Sequence, residues 1–369
     1  MAADSPSTPT PVPAPLPPDA GTAAGAPRTA GSRTAGSRAA GAWLMPALAV
    51  AAAAAPALLR DPYLIHVAAL IGTYWILIAG LNLVVGYMGQ LSVGHVGLFA
   101  IGAYAFAILA GTQGVDPAIA LLGGAALGGL MGWLVGLPSL RLPGFYYAMT
   151  TLGFTMIVGE MLIVFADLTG GGAGRAVPRF GAPFDTPAGL YALIVACAIV
   201  VTLMSWSLTR LMWGRALVAI RDSEIAAQSV GVPVRRVKTL LFAFSGVTAG
   251  LGGGLFASMQ TYITPETFHF EVGLFFFICI VIGGRGSMQG PFWGTVLLTV
   301  LPDLSAPLAS LGNFLYGAIL LAVVLIAPEG LGAIGRMLWH RIRPEPAAPP
   351  AEAPKPAVLR RALCDGEPR

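Results

Sequence analysis

An all-α protein that crosses a membrane about ten times is the fold class this chain predicts, and three observations carry the prediction. Of 369 residues, 56% are hydrophobic and only 10% are Asp, Glu, Lys or Arg, with a mean hydropathy of +0.76. A soluble domain carries about 25% charged residues. Apolar stretches recur between Trp43 and Ala327, each near the length of roughly 20 residues that a bilayer core demands of a helix. The charges gather in the gaps between stretches and in two tails. Charge placed in this way orients spans, so a net charge of +4 gives no reason to expect a nucleic-acid partner. The solvent for most of the chain is membrane lipid.

Taken in order, residues 1–42 are largely Pro, Ala, Gly, Ser and Thr, with Arg28, Arg33 and Arg38. Such a stretch has too little apolar surface to fold and is expected to be a disordered tail. The spans are then placed at 43–59, 63–85, 92–111, 117–138, 144–166, 187–209, 239–261, 270–284, 289–309 and 312–328, making 43–335 the transmembrane domain. Residues 336–369, with Pro344, Pro346, Pro349 and Pro350, are expected to be a second disordered tail. The first span resembles a signal peptide ending in small residues. Its charge-free stretch reaches Leu59, longer than a usual signal core, so a retained helix is preferred. Sidedness does not depend on that choice, because the second span starts outside in both versions. With the N-terminus inside, every one of the 21 basic residues except Arg60, Arg175 and Arg179 falls on the cytoplasmic side. That asymmetry places both termini in the cytoplasm.

Glycine predicts how the spans pack. Gly124, Gly128, Gly132 and Gly136 form one stripe, and Gly246, Gly250 and Gly254 another. Small residues at every fourth position let helix backbones approach closely in lipid, and intramolecular packing is preferred over a subunit interface. The irregular glycines of Gly86–His95, with a possible cap at Ser92, predict a broken helix of the sort that lines translocation paths, and 283–291 reads as a comparable break. Polar groups near these breaks, Asn82, Gln90, Ser92, Thr150 and Thr151, are candidates for hydrogen bonds to a zwitterionic solute. Each could equally bond a neighbouring helix. His95 is read as a hydrogen-bonded structural histidine. Glu160, the ionisable residue well inside a span, lies close enough to the outer boundary to reach interfacial water.

Between Arg210 and Lys238 the chain turns basic and polar. Asp222 can cap a helix there, Glu224 supplies negative charge to its first turn, and Gly231 with Pro233 can end it. The small Ala226 and Ala227 would let another protein's surface approach this helix, which otherwise reads as a solvated amphipathic segment. Lys238 and Lys355 are the only lysines and neither follows a glycine-rich loop, so no phosphate-binding loop can be built. An ATP-driven process would need its motor in another chain. The four histidines are scattered, and Cys197 and Cys279 lie in spans, which suggests neither a metal site nor a disulfide framework. No catalytic group is indicated. A proton-coupled carrier acting alone would want several intramembrane carboxylates on facing helices, and a channel a ring of charges.

Four segments carry a family resemblance. They are Gly86–His95 with Gly102–Tyr104, Arg141–Phe154, Trp213 through Gly231, and Ala327–Leu331, and they span about residues 60 to 335. Together they resemble the permeases of branched-chain amino acid ABC transporters, in the longer of two permease types, which includes relatives that move urea and amides. The resemblance implies an importer in the bacterial inner membrane. It implies a second permease subunit, two ABC ATPase subunits that bind ATP and magnesium, and an extracytoplasmic solute-binding protein; this chain would hold no cofactor or metal. It also implies an ATPase-coupling loop formed by Gly214, Arg215, Asp222, Glu224, Ala226, Ala227 and Gly231, in which Glu224→Lys is expected to uncouple transport while the protein still inserts. The chain departs from the family at Met156 and Gly159, where many relatives have an acidic and then a basic residue, and at Ala173 in the outer glycine loop. These departures bear on the solute, for which urea, short amides and aromatic acids are alternatives.

Overall fold

The computed structural model describes residues 61–142 and 144–305. The two tails, the expected spans at 43–59 and 312–328, and the Ala327–Leu331 motif lie outside the described residues. Helices α1 (Pro62–Asn82), α2 (His95–Gly111), α3 (Pro117–Gly136) and α4 (Gly144–Val164) come first, followed by the single turn α5 (Ala166–Thr169). After α6 (Pro187–Arg210) come the short α7 (Met212–Asp222) and α8 (Glu224–Ser229), then α9 (Val234–Gln260), α10 (Phe270–Gly283) and α11 (Gln289–Ser305). Two-residue strands β1 (Arg175–Ala176) and β2 (Tyr262–Ile263) pair antiparallel, Arg175 opposite Ile263. Six helical stretches among the described residues are long and apolar enough to cross a membrane: Pro62–Tyr87, Pro117–Leu140, Gly144–Val164, Pro187–Arg210, Val234–Gln260 and Pro265–Gly283. The protein is an all-α polytopic membrane protein.

Several starts are set by local chemistry. Asp61, Asp116 and Thr186 each accept a hydrogen bond from a backbone N–H of the following first turn, and each is followed by proline at the first helical position, where its missing N–H costs nothing. Two boundaries differ from expectation. α9 begins at Val234, five residues before the expected span, because Val234, Val237 and Leu241 recur on one face and are buried. α2 begins at His95 and has 17 residues, because α1 widens into a π turn over Leu83–Tyr87 and the chain then unwinds.

Helix α9 is the axis of the bundle, in contact with α1, α2 and α3, and its widest contact is with α3. The two glycine stripes meet there. A Cβ on Gly128 would lie 2.6 Å from the Gly246 carbonyl oxygen and 2.8 Å from the Gly250 Cα, and one on Gly250 would lie 2.5 Å from the Gly124 carbonyl. Gly102 of α2 packs on the backbone of Gly250 from the other side. Three backbones therefore touch with no side chain between them, and dispersion over that contact replaces the hydrophobic drive that lipid cannot supply. Next to this seam Phe99 lies among Phe256, Phe268 and Phe276, with ring centroids 5.2, 5.7 and 5.8 Å away. Some hydroxyls inside spans turn back to their own helix, Thr73 to the Ala69 carbonyl at 2.9 Å and Thr295 to that of Pro291 at 2.8 Å.

Candidate functional site: the α7–α8 pair and the helix breaks above it

The residues between α6 and α9 fold into a helix pair. α7 is amphipathic, with Gly214, Leu217 and Ile220 buried at three-residue spacing and Arg215, Val218 and Asp222 exposed. Gly214 lies against the backbone of Thr209 with no room for a Cβ, which makes it a packing residue at the turn into the pair. α8 is capped by Ser223, not Asp222. The Ser223 hydroxyl accepts from the Ala226 N–H at 3.3 Å, while Asp222 is the last residue of α7. The serine wins because its backbone is extended, with φ −162° and ψ 116°, as an N-cap requires. Glu224 does occupy the first turn. The other end closes as a Schellman motif: Gly231 N–H donates to the Gln228 carbonyl and Val232 N–H to that of Ala227, both at 3.0 Å. Gly231 sits at φ +84°, which favours glycine over any residue with a Cβ.

Only one of the two alanines faces outward. Ala226 is exposed, whereas Ala227 is 2% exposed and packs with Leu83, Val84 and Tyr147 in the core beneath the pair. The outward face carries apolar side chains instead, with Ile225 80% and Val230 78% exposed. Both sit at the end of the molecule that carries the pair, beyond the apolar spans.

Two polar ties join the pair to the bundle. Lys238 of α9, 3% exposed, donates to the Glu224 carboxylate at 2.7 Å and to the Ser139 carbonyl at 3.3 Å. Glu224 is thus the partner of a buried ammonium, and replacing it by lysine would set two cations against each other. Glu224→Lys therefore cannot separate docking from folding. The second tie is Arg221, whose Nη1 donates to the Gly86 carbonyl at 3.0 Å. Arg221 and Lys238 were not singled out from sequence as site residues. Their charge gave no hint of its use, because each partner lies more than ten residues away and two of the three are backbone carbonyls.

The solute-path candidates divide. Ser92 Oγ lies 3.0 Å from His95 Nδ1, and His95 Nε2 lies 2.7 Å from Ser245 Oγ, so a buried serine–histidine–serine chain joins α2 to α9. His95 is structural, as expected. Thr151 donates to the Ala148 carbonyl at 2.9 Å and accepts from the Val93 N–H at 3.2 Å, and Gln90 donates to the Leu142 carbonyl at 3.4 Å. Thr150 is exposed and bonds back to Tyr146 at 3.0 Å. Asn82 donates to the Ser287 carbonyl at 2.9 Å across the two breaks, and its buried Oδ1 has no partner among the described residues. The structure brings Ser92 and Thr151 to one crossing and Asn82 to another, and turns Thr150 away. Glu160 is on the exposed face of α4. Among the described residues no three His, Cys, Asp or Glu side chains gather as metal ligands.

The family model described as "Branched-chain amino acid transport system / permease component" matches residues 63–324. The high-affinity branched-chain amino acid transport system permease protein LivM of Escherichia coli (strain K12) is 33% identical over 299 residues, covering 72% of this chain and 69% of that protein. LivM of Salmonella typhimurium (strain LT2) is 32% identical with the same coverage. The autoinducer 2 import system permease protein LsrC of Enterobacter sp. (strain 638) is 29% identical over 58% of this chain and 64% of its own length. No solved structure matches the chain significantly. The match embraces every described span, both helix breaks and the α7–α8 pair, and the chain belongs to the branched-chain amino acid transport permease family.

Proposed function

We propose that the chain is the transmembrane permease subunit of an ABC importer for branched-chain amino acids. It moves solute delivered by an extracytoplasmic binding protein, and separate ATPase subunits drive it by docking on α7–α8. In this reading the pair faces the cytoplasm of a bacterial cell with both termini on the same side, and a second permease completes the path. The observation that carries it is the pair itself. A capped two-helix element presents Ile225 and Val230 to water at 80% and 78% exposure, and apolar side chains held out in that way mark a protein contact. The chain has no phosphate-binding loop to energise it. Arg215, Asp222 and Ala226 complete the outer face of the contact, while Gly214, Glu224, Ala227 and Gly231 shape it from beneath. The buried Asn82 carbonyl oxygen, without a partner among the described residues, is the best placed of the path candidates to accept a solute ammonium. A solute other than an amino acid is the second reading, favoured by the similarity to permeases named for autoinducer 2 import.

The test is reconstitution. Proteoliposomes holding the chain with its second permease, ATPase subunits and binding protein should accumulate radiolabelled leucine only with internal ATP. The chain alone should neither hydrolyse ATP nor take up leucine under an imposed proton or sodium gradient. Gradient-driven uptake by the single chain would replace the ABC reading with an ion-coupled carrier.

A further inference from the structure

We propose that Arg221 is the positioning residue through which the α7–α8 pair moves both helix breaks together. The inference rests on the reading of the pair as the ATPase contact.

The Arg221 side chain touches both breaks. Its Nη1 donates to the carbonyl of Gly86 at 3.0 Å, within the π turn Leu83–Tyr87 where α1 gives way to unwound chain. π turns inside helices occur frequently at functional sites. Its aliphatic stem lies on Gly89, where a Cβ would come within 2.9 Å of the Arg221 Cγ. On the far side a Cβ on Gly286 would be 3.3 Å from Nη1, and a Cβ on Gly86 would be 3.1 Å from the Gly286 nitrogen. The guanidinium of this exposed residue therefore lies against both 86–89 and the turn joining α10 to α11. One turn deeper, Asn82 ties the same two segments through its bond to the Ser287 carbonyl at 2.9 Å.

Arg221 is carried on α7, whose Leu217 and Ile220 share a core with Leu83, Val84 and Met88. Displacing α7 thus shifts the base of the arginine, and the guanidinium carries that shift into both breaks. An aliphatic contact alone could slide, whereas a charged donor hydrogen-bonded to a carbonyl holds the distance between α7 and the break. Ser92, Thr151 and Asn82 lie on or beside the segments that would move.

The experiment uses the full complex in proteoliposomes and reads leucine imported per ATP hydrolysed, together with complex yield and thermal midpoint. Arg221→Met keeps the stem and removes the donors. Imported leucine per ATP is expected to fall about tenfold, within the range that one residue in a coupling network carries, while yield and midpoint stay near wild type. Arg221→Lys, with a donor able to reach the same carbonyl, is expected to recover most of the ratio, which a packing role would not produce. If Arg221→Met does not assemble, Arg221→Gln decides by the same ratio. An unchanged ratio per assembled complex overturns the inference. Ile225→Asp, run in parallel, reports on docking. If the ATPase subunits still co-purify with it, the docking reading falls and takes the inference with it. An unchanged ratio in the arginine variants, with docking lost in Ile225→Asp, removes the inference alone.

Discussion

The α2–α3–α9 seam and the α7–α8 pair are held to the same molecule by opposite means. In the seam, backbones touch at Gly102, Gly128, Gly246 and Gly250 with no side chain between them. The pair rests on side chains, Leu217, Ile220 and Ala227 in one core with Leu83 and Val84, and its directional ties are two polar contacts, Arg221 to Gly86 and Lys238 to Glu224. Close-packed interfaces have no second arrangement at nearby energy, because any shift opens a void or forces an overlap. Hydrogen-bonded side chains can pivot and re-form. The difference assigns the seam to a rigid frame and the pair to the movable part, and it can be broken in graded ways.

The largest effect is expected from filling the seam. Gly128→Leu forces the α3 and α9 backbones apart and should cost at least about 3 kcal/mol, the upper end of overpacking penalties. It is read as loss of monodisperse protein in detergent at a temperature where wild type survives. A folded, thermally normal Gly128→Leu protein would mean that the frame is as adaptable as the pair. Next, Glu224→Ala strands the buried Lys238 with a single carbonyl partner. A cost of about 2 kcal/mol is expected, below that of a fully buried pair because Glu224 is partly exposed. Adding Lys238→Met should restore most of it, and a double-mutant cycle on thermal midpoints checks the coupling. Gly231→Ala places a Cβ at φ +84° and should cost about 1 kcal/mol, seen as faster hydrogen exchange confined to 223–232. Ile225→Asp, on an 80% exposed side chain, should change stability by no more than about 0.5 kcal/mol and yet reduce ATPase co-purification. If it unfolds the protein instead, the outward face of the pair is not free.

The legible features were those set by local sequence. Span positions followed from runs of apolar residues, and those inside the described region agree with the helices to within a few residues except at α9. That helix runs five residues further because amphipathic spacing, not hydropathy, continues it to Val234. The Gly231 turn was legible because a helix end with Pro233 beyond it needs a left-handed residue. Asp222 was a plausible cap by residue type, and Ser223 displaced it through backbone conformation, which composition does not encode. The two alanines looked equivalent in sequence, and only the angle at which α8 lies on the core buries Ala227 and exposes Ala226.

By itself, then, the sequence determined that the chain is a multi-spanning helical membrane protein, where its helices break, and that a polar loop interrupts them at Arg210–Lys238. Those are consequences of desolvation and backbone hydrogen bonding, which each segment settles with the solvent around it. The tertiary structure decided which glycine stripes face each other, that Glu224 answers to Lys238, and that Arg221 reaches Gly86 across 135 positions. Those contacts depend on distances of a few ångströms between segments remote in the chain, and no local energy specifies them until the helices have packed.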